Sequence, residues 1–359
     1  MKIAVFEHYT SLPRFAPEAD RVAAGRAMRD AVVADLAGLP GAEVVVVERR
    51  RTFGAALRRA DAALVVAPEE AGILEGLCRV VERSGRILLG PSSSAVRLLG
   101  DKLRTARVLA AAGVPTPAAR ALPFVSARAE LRGMTTPFVL KPRDGCGGQG
   151  VVVVRHPREI DTSLALVRRA TRRDDCLVQE YVPGPPVSVS AVISSRTVDL
   201  GLNRQALRRG PLLAYLGGET FWPHPRAGEA LTAARAAIRS ISESCRGVRG
   251  YLGVDLVIGR AGPVVIEVNP RLTTSYIGLR LSIRENLAGL IVDAAAGRAL
   301  PVRVTPIGRC RFGADGTTAI RSTEAEARAR RRDLSTGARR TSGRNGWRTL
   351  SAGTSAASI

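Results

Sequence analysis

The sequence predicts an α/β fold, and three observations carry that expectation. The first 95 residues alternate short apolar runs with Ala/Arg-rich helical stretches, four glycines separate two apolar runs within 137–154, and two carboxylates interrupt strand-like runs near residue 260. Alternation of the β-α-β kind implies a parallel sheet covered by helices. In that first block the strands read as residues 3–6, 43–47, 62–67 and 87–89, with helices near 20–39 and 70–83. The first strand runs into Glu7-His8-Tyr9-Thr10-Ser11 with no glycine fingerprint, so a dinucleotide fold is not expected. This block is assigned to packing and substrate contacts.

A second block, 96–176, opens on Lys102 at the head of a helical stretch that Ala112-Gly113-Val114-Pro115 brings to an end. It continues with the apolar run Pro137-Phe138-Val139-Leu140, then Lys141, then Pro142-Arg143-Asp144-Gly145-Cys146-Gly147-Gly148-Gln149-Gly150. A third block, 177–301, holds strand-like runs at 187–193, 198–202, 253–258 and 264–268, a helix near 229–245, and a leading strand from Cys176 to Val182. From Arg309 to Ile359 eleven arginines face four acids, a net +7, with little apolar periodicity, and the expectation is a disordered basic tail.

Composition narrows the function. The chain has 359 residues with 45% hydrophobic content, enough for several packed layers, and no apolar run approaches the roughly 20 residues a membrane span needs. The N-terminus leads directly into a buried strand, which argues against a signal peptide and for a cytoplasmic protein. Five cysteines and three histidines are widely scattered, which disfavours a zinc site, a disulfide framework or a Ser-His or Cys-His nucleophile. A formal charge of +22 makes nucleic-acid binding the main rival class. The excess is nevertheless spread in ones and twos with almost no aromatic interleaving for base stacking, so a solvated arginine surface is the better account.

Of the 54 basic residues only Lys2, Lys102 and Lys141 are lysines. A compact, mobile ammonium differs from a planar guanidinium fork, so persistence of lysine in an arginine-rich chain marks sites where that difference matters. Lys141 stands at the base of the glycine cluster. Glycines at 145, 147, 148 and 150 allow backbone N–H groups to approach a phosphate with no Cβ in the way, and a hairpin of this kind closes like a lid. It is not a Walker A loop, because no Gly-Lys-Ser/Thr follows and a strand comes next.

The second chemical cluster is Asp255 with Glu267 and Asn269. Alternation puts Glu267 and Asn269 on one face, with Asp255 on the neighbouring strand of a hairpin whose turn contains Gly259 and Gly262. Two carboxylates and an amide oxygen form a hard donor set suited to Mg²⁺ bridging nucleotide phosphates. Arg271, two residues on, can neutralise a transferring phosphoryl group.

Taken in this order and spacing, residues 1–300 resemble the ATP-grasp carboxylate-amine ligases. The resemblance implies a pre-ATP-grasp domain at 1–95, a central subdomain at 96–176, and a C-terminal subdomain with the metal site at 177–301. It implies that Lys102 and Lys141 contact the phosphates of ATP beneath Gly145, Gly147, Gly148 and Gly150. It also implies that Gln179, Glu180, Tyr181 and Val182 form the adenine hinge, and that Asp255, Glu267 and Asn269 hold two Mg²⁺ ions, with Mn²⁺ as an alternative. The chain departs from many members at Val187, where a ribose-binding glutamate would stand. Similarity extends beyond the nucleotide site to Ala67-Pro68-Glu69-Glu70, Leu202-Asn203-Arg204-Gln205, Gly217-Gly218-Glu219 and Leu272-Thr273-Thr274, and implies joining the γ-carboxylate of glutamate to a primary amine such as tyramine. Arg204 is the candidate for a substrate carboxylate and Glu219 for the amine. Tyr9, Phe15, Tyr215, Phe221 and Trp222 are the candidates for a phenol ring. No covalent nucleophile is required, the partners expected are small molecules, and homo-oligomerisation is left open.

Overall fold

The computed structural model describes residues 1–12, 19–208, 210, 212–322 and 347–350. The chain begins with β1 (Lys2–Glu7), α1 (Ala19–Ala37), β2 (Glu43–Val47), α2 (Phe53–Arg58), β3 (Ala62–Val66), α3 (Ile73–Arg83) and β4 (Ile87–Leu88). The four strands are parallel in the order β2-β1-β3-β4, as the alternation of apolar runs and helices predicts. β1 and β3 are buried along nearly their whole length because helices cover both faces, which is why they read as continuous Ile/Val/Ala runs. α3 shows the complementary logic: Leu74, Leu77, Cys78 and Val81 fall at i, i+3, i+4 and i+7 and form its buried face.

Two helices then lead out of this sheet. α4 (Ser93–Leu99) is capped by the Ser92 side chain, which accepts from Ala95 N–H. α5 (Lys102–Ala111) is capped by Asp101, which accepts from Leu103 and Arg104 N–H. Gly113, at φ 69°, terminates α5, and Val114 N–H returns to Leu109 O at 2.9 Å. The cap therefore fixes Lys102 as the first residue of its helix.

The next sheet is antiparallel, in the order β5-β8-β6-β7. Its elements are β5 (Ala119–Pro123), α6 (Phe124–Arg132), β6 (Phe138–Lys141), β7 (Val152–Val154), α7 (Ile160–Arg169) and β8 (Asp175–Glu180). Leu122, Phe138, Leu140, Val154, Ile160 and Val178 make its core against α6 and α7. The glycine run is the turn of the β6–β7 hairpin.

The largest sheet has eight antiparallel strands, ordered β13-β12-β9-β10-β11-β14-β15-β16. They are β9 (Pro186–Ile193), β10 (Thr197–Arg208), β11 (Ala214–Glu219), β12 (Gly250–Ile258), β13 (Pro263–Asn269), β14 (Gly308–Gly313), β15 (Thr318–Ser322) and β16 (Arg348–Leu350). α8 (Ala227–Ser244) lays Ala230, Ala234, Ala237, Ile238 and Ile241 against one face, over Val187, Val189, Leu252 and Leu256. α9 (Ser275–Leu279) and α10 (Leu287–Ala295) join the sheet to the N-terminal layer, in one apolar cluster running from Ile3 and Val32 to Tyr276, Ile291 and Phe312. Within it, Asp35 of α1 accepts from the Tyr276 hydroxyl at 2.6 Å and from Arg280 Nε at 2.8 Å.

One expectation is corrected. Residues 309–322, assigned to a disordered tail, include β14 and β15, and β14 pairs with β11. Along Gly308–Gly313 the burial alternates, Cys310 and Phe312 inward and Arg309 and Arg311 outward, so the arginines belong to a half-buried strand. Residues 323–346 and 351–359 of that segment lie outside the described residues.

Candidate active site

Three elements bring the sequence-predicted residues together between the second and third sheets. α5 contributes Lys102, whose ammonium donates to Gly145 O at 2.7 Å and lies 3.4 Å from Glu267 Oε2. The end of β6 contributes Lys141, which is 3% exposed. The β12–β13 hairpin contributes the acids: Asp255 stands directly opposite Glu267, and Gly253 opposite Asn269, with a register irregularity immediately beyond Asp255. Directly opposed residues of an antiparallel pair share a face, so Asp255, Glu267 and Asn269 point the same way. Glu69, Gly100, Lys102, Gly145, Glu267 and Asn269 line a small cavity at the centre of this arrangement.

The hairpin glycines have distinct reasons. Gly145, Gly147 and Gly148 have φ of 94°, 65° and 75°, a region other residues adopt at a cost. At Gly150 a Cβ would also stand 2.5 Å from Ala170 Cβ, so that position is required by packing of the hairpin on its own sheet. The base of the loop is anchored at Asp144, which accepts from Ala71 N–H at 3.0 Å and from the Thr171 hydroxyl at 2.9 Å. Arg143 bridges Asp101 and Asp175. The contact of Asp144 with Ala71 ties the hairpin to the N-terminal layer.

The charges are strongly coupled. Burial and the neighbouring Glu267 push Asp255 up to about 7. Burial also pushes Glu267 up, but the Lys102 and Lys141 ammoniums outweigh it and hold that carboxyl below the ordinary range. For Lys102 burial opposes the charge, yet Glu267 and Glu69 keep it above the usual lysine range. Lys141 is pushed down to about 8, first by burial, with Lys102 adding to the effect while Glu267 and Asp255 oppose it. Among the described residues no group of three or more His, Cys, Asp or Glu stands in metal-binding array, so a cation here would rest on two carboxylates and an amide. The set fits one. Asp255 and Glu267 form a repulsive pair that a divalent ion offsets, and Asn269 donates through Nδ2 to Asp255 Oδ2 at 3.1 Å, which directs its carbonyl oxygen elsewhere as a third donor.

Two residues of the site, Glu69 and Gln205, were not among the sequence candidates. Arg271 gives its Nε to both oxygens of Glu69, at 2.9 and 3.1 Å, and its Nη1 to Leu272 O at 3.0 Å. Glu69 comes from the end of the parallel sheet, 202 positions away, and is 7% exposed. Gln205 donates to Asp255 Oδ1 at 2.8 Å from β10. The presence of Glu69 within the similar stretch Ala67–Glu70 was the available hint; for Gln205 it was the similar stretch Leu202–Gln205.

Gln179 lies buried in β8, and Glu180 ends that strand, with Tyr181 and Val182 following in the link to β9. Glu180 N–H donates to Ala118 O at 2.9 Å, and Val182 lies close to the Gly259 turn of the acidic hairpin. Val187 is fully buried against α8 and offers nothing to a ribose.

Arg204 and Glu219 do not join the site. Arg204 pairs with Val187, and Val187 with Leu256, which puts Arg204 on the α8 side of the sheet, opposite to Asp255. Its guanidinium lies 5.6 Å from the centre of the Trp222 ring. Glu219 is the cross-strand partner of Arg204, and its carboxylate is already paired with Arg309 and Arg311. Both were candidates through the resemblance of the stretches that hold them, and a similar stretch does not say which face of β10 or β11 a side chain takes. Of the aromatic candidates, Tyr215 stands close enough to Asp255 that, after burial, the carboxylate raises its phenol further. Tyr9 accepts from Arg21 Nη1 at 2.9 Å, Phe221 packs over Gly201, and Trp222 meets Arg204 and His224. Phe15 lies outside the described residues.

Comparison with known proteins gives a consistent result. Residues 99–275 match the family model for an ATP-grasp domain, and residues 27–96 match that for a pre ATP-grasp 3 domain. The chain is 30% identical to the tyramine–L-glutamate ligase of Methanocaldococcus jannaschii over 68% of its length and 66% of that protein's. The corresponding enzyme of Methanocaldococcus fervens is 30% identical over 68% and 69% of the two chains. The phosphoribosylamine–glycine ligase of Streptomyces coelicolor is 30% identical over 67% and 59%. The chain thus spans about two thirds or less of the length of most of these relatives. Among solved structures, an ATP-grasp superfamily protein from Archaeoglobus fulgidus superposes with a TM-score of 0.64 at 22% identity, covering 90% of this chain and 94% of that one. The D-alanine–D-alanine ligase of Bacillus anthracis gives 0.61 at 17% identity, over 82% and 97%.

Proposed function

Because the chain belongs to the ATP-grasp family, we propose that it is an ATP-dependent carboxylate-amine ligase that joins the γ-carboxylate of L-glutamate to a primary amine such as tyramine. The observation that carries the ligase reading is the convergence of Lys102, Lys141 and the Asp255/Glu267/Asn269 set on one cleft beneath a glycine hairpin. The glutamate and tyramine assignment rests on the two Methanocaldococcus relatives and on the similarity outside the nucleotide site.

In this reading ATP phosphorylates the carboxylate, the acyl phosphate is retained in the closed cleft, and attack by the amine nitrogen expels phosphate to leave an amide. Asp255, Glu267 and Asn269 would hold Mg²⁺, which would supply charge neutralisation on the phosphoryl oxygens. Lys102 and Lys141 place two further positive charges against the phosphates, and burial makes each worth more than it would be in water. Arg271, oriented by Glu69 through Nε, is the guanidinium assigned to the transferring phosphoryl group. The β6–β7 hairpin excludes water from the acyl phosphate.

An ADP-release assay with L-glutamate and a panel of amines tests the assignment. Tyramine or a related primary amine is expected to stimulate release. Stimulation only by bicarbonate, by a pair of amino acids, or by phosphoribosylamine with glycine would replace the substrate assignment while leaving the ligase class. No ATP turnover with any acceptor would sink the class itself.

A further inference from the structure

One buried side chain on the acidic face has no role in the reading above. Asn203 of β10 stands directly opposite Ser188 of β9, and Ser188 directly opposite Asp255, so amide, hydroxyl and carboxylates form one row across four strands. Asn203 is 1% exposed, and neither its Oδ1 nor its Nδ2 has a hydrogen-bond partner. Among the described residues it is the one side chain with two buried atoms left unpaired. Other polar groups of this face are satisfied: Asp255 accepts from Gln205 and Asn269, and the Ser190 hydroxyl meets those of Tyr251 and Ser275. An unpaired buried carboxamide lowers stability, whereas an apolar residue of the same shape does not, so a purely structural role gives no reason for asparagine here.

We propose that Asn203 is a specificity-determining residue that receives the head group of the amino-acid substrate, the end remote from the carboxylate being activated. The proposal rests on the ligase reading. A carboxamide presents one acceptor and two donors side by side, which complements an ammonium next to a carboxylate: Oδ1 accepts from the ammonium and Nδ2 donates to the α-carboxylate. Placement agrees with this. Asn203 lies two strand spacings from Asp255, roughly 10 Å, so an amino acid whose side-chain carboxylate meets the phosphoryl group at the acids extends its head group along the row towards β10. Substrate enters before the hairpin closes through Lys102 and Gly145, and its head group completes the hydrogen bonds that Asn203 lacks.

The test uses Asn203→Leu, near in shape and without polar atoms, together with Asn203→Asp. With the leucine variant the melting temperature of the ligand-free protein is expected to rise, by about 2 °C or more. Its KM for L-glutamate is expected to rise roughly tenfold or more while the KM for ATP stays within about twofold. Asn203→Asp, which keeps an acceptor and loses the donor, is expected to bind L-glutamate more weakly than wild type. A parallel rise in both KM values, an unchanged KM for L-glutamate, or a fall in melting temperature of the leucine variant would overturn the proposal. A second arm needs no turnover: L-glutamate, added with Mg²⁺ and a non-hydrolysable ATP analogue, raises the melting temperature of wild type and not of Asn203→Leu. That shift without amine-dependent turnover would sink the ligase reading and keep the Asn203 site. Equal shifts in both proteins, or none in wild type, would sink the site whatever the turnover assay shows.

Discussion

Lys141 is held at about 8 by burial, below the 10.5 of an unperturbed lysine, and the sign of that shift sets a pH dependence. The charged form is disfavoured in the folded protein, so the cost to stability is present below about pH 8 and disappears as pH rises through 10.5. Binding a phosphate requires the charge, so kcat/KM for ATP, which reports the free enzyme, is expected to fall above about pH 8. Lys141→Arg stays charged throughout, so its profile is expected to lose the alkaline limb. The longer planar head crowds the phosphates, and the variant is expected to be slower by roughly tenfold or more at neutral pH. An unaltered limb would show that another group titrates. Glu267→Gln is expected to abolish Mg²⁺-dependent turnover while far-UV circular dichroism remains that of wild type. Lys102, Lys141 and the acidic set were legible in the sequence because each breaks its surroundings: lysine among arginines, carboxylate among valines. Glu69 was not, since its meaning comes from an arginine 202 positions away, and Arg204 and Glu219 were candidates from similar stretches, which do not fix the face a side chain takes.

At the scale of elements, the hairpin and its anchor make separable predictions. Gly148→Ala meets no atom closer than Leu213 O at 3.5 Å, but it must hold φ at 75°. That conformation costs an L-residue about 1–2 kcal/mol, so the closed hairpin is disfavoured and the KM for ATP is expected to rise roughly 5- to 30-fold, with little change in the melting temperature. A large loss of thermal stability would mean that the glycine serves folding instead. Asp101→Ala removes both the cap of α5 and a partner of Arg143, so it is expected to lower stability by roughly 1–3 kcal/mol in a denaturant titration and to raise the KM for ATP through Lys102. Most strands of the first 270 residues were legible to within one or two positions, because apolar runs bounded by glycine, proline or charge leave few alternatives. β10 was read as ending near Leu202, yet pairs onward to Arg208: its second half, Asn203-Arg204-Gln205, is polar because it faces the cleft on one side and an ion pair on the other.

For the whole molecule, the link between the N-terminal layer and the large sheet is partly polar. Tyr276→Phe leaves the Asp35 carboxylate with Arg280 alone, and a loss of roughly 1–2 kcal/mol is expected in thermal or chemical unfolding. At this scale part of the arginine content enters structural pairs, such as Arg143 with Asp101 and Arg280 with Asp35. Among the described residues no helix is long and apolar enough to cross a membrane. The basic C-terminal segment bears on how the protein is best shortened. A chain ending after Ser322 keeps β14 and β15 and is expected to retain turnover. A chain ending at Gly308 loses β14, and with it the ladder that covers Gly217, Gly218 and Glu219, and the two arginines that neutralise a carboxylate 5% exposed. The bare margin of β11 would then be an open template for another strand, and such a truncation is expected to elute as large, polydisperse assemblies in size-exclusion chromatography. The place to cut is set by the end of β15, thirteen residues beyond Arg309, where the arginine-rich composition begins, and such a cut gives up only the short pairing of β15 with β16.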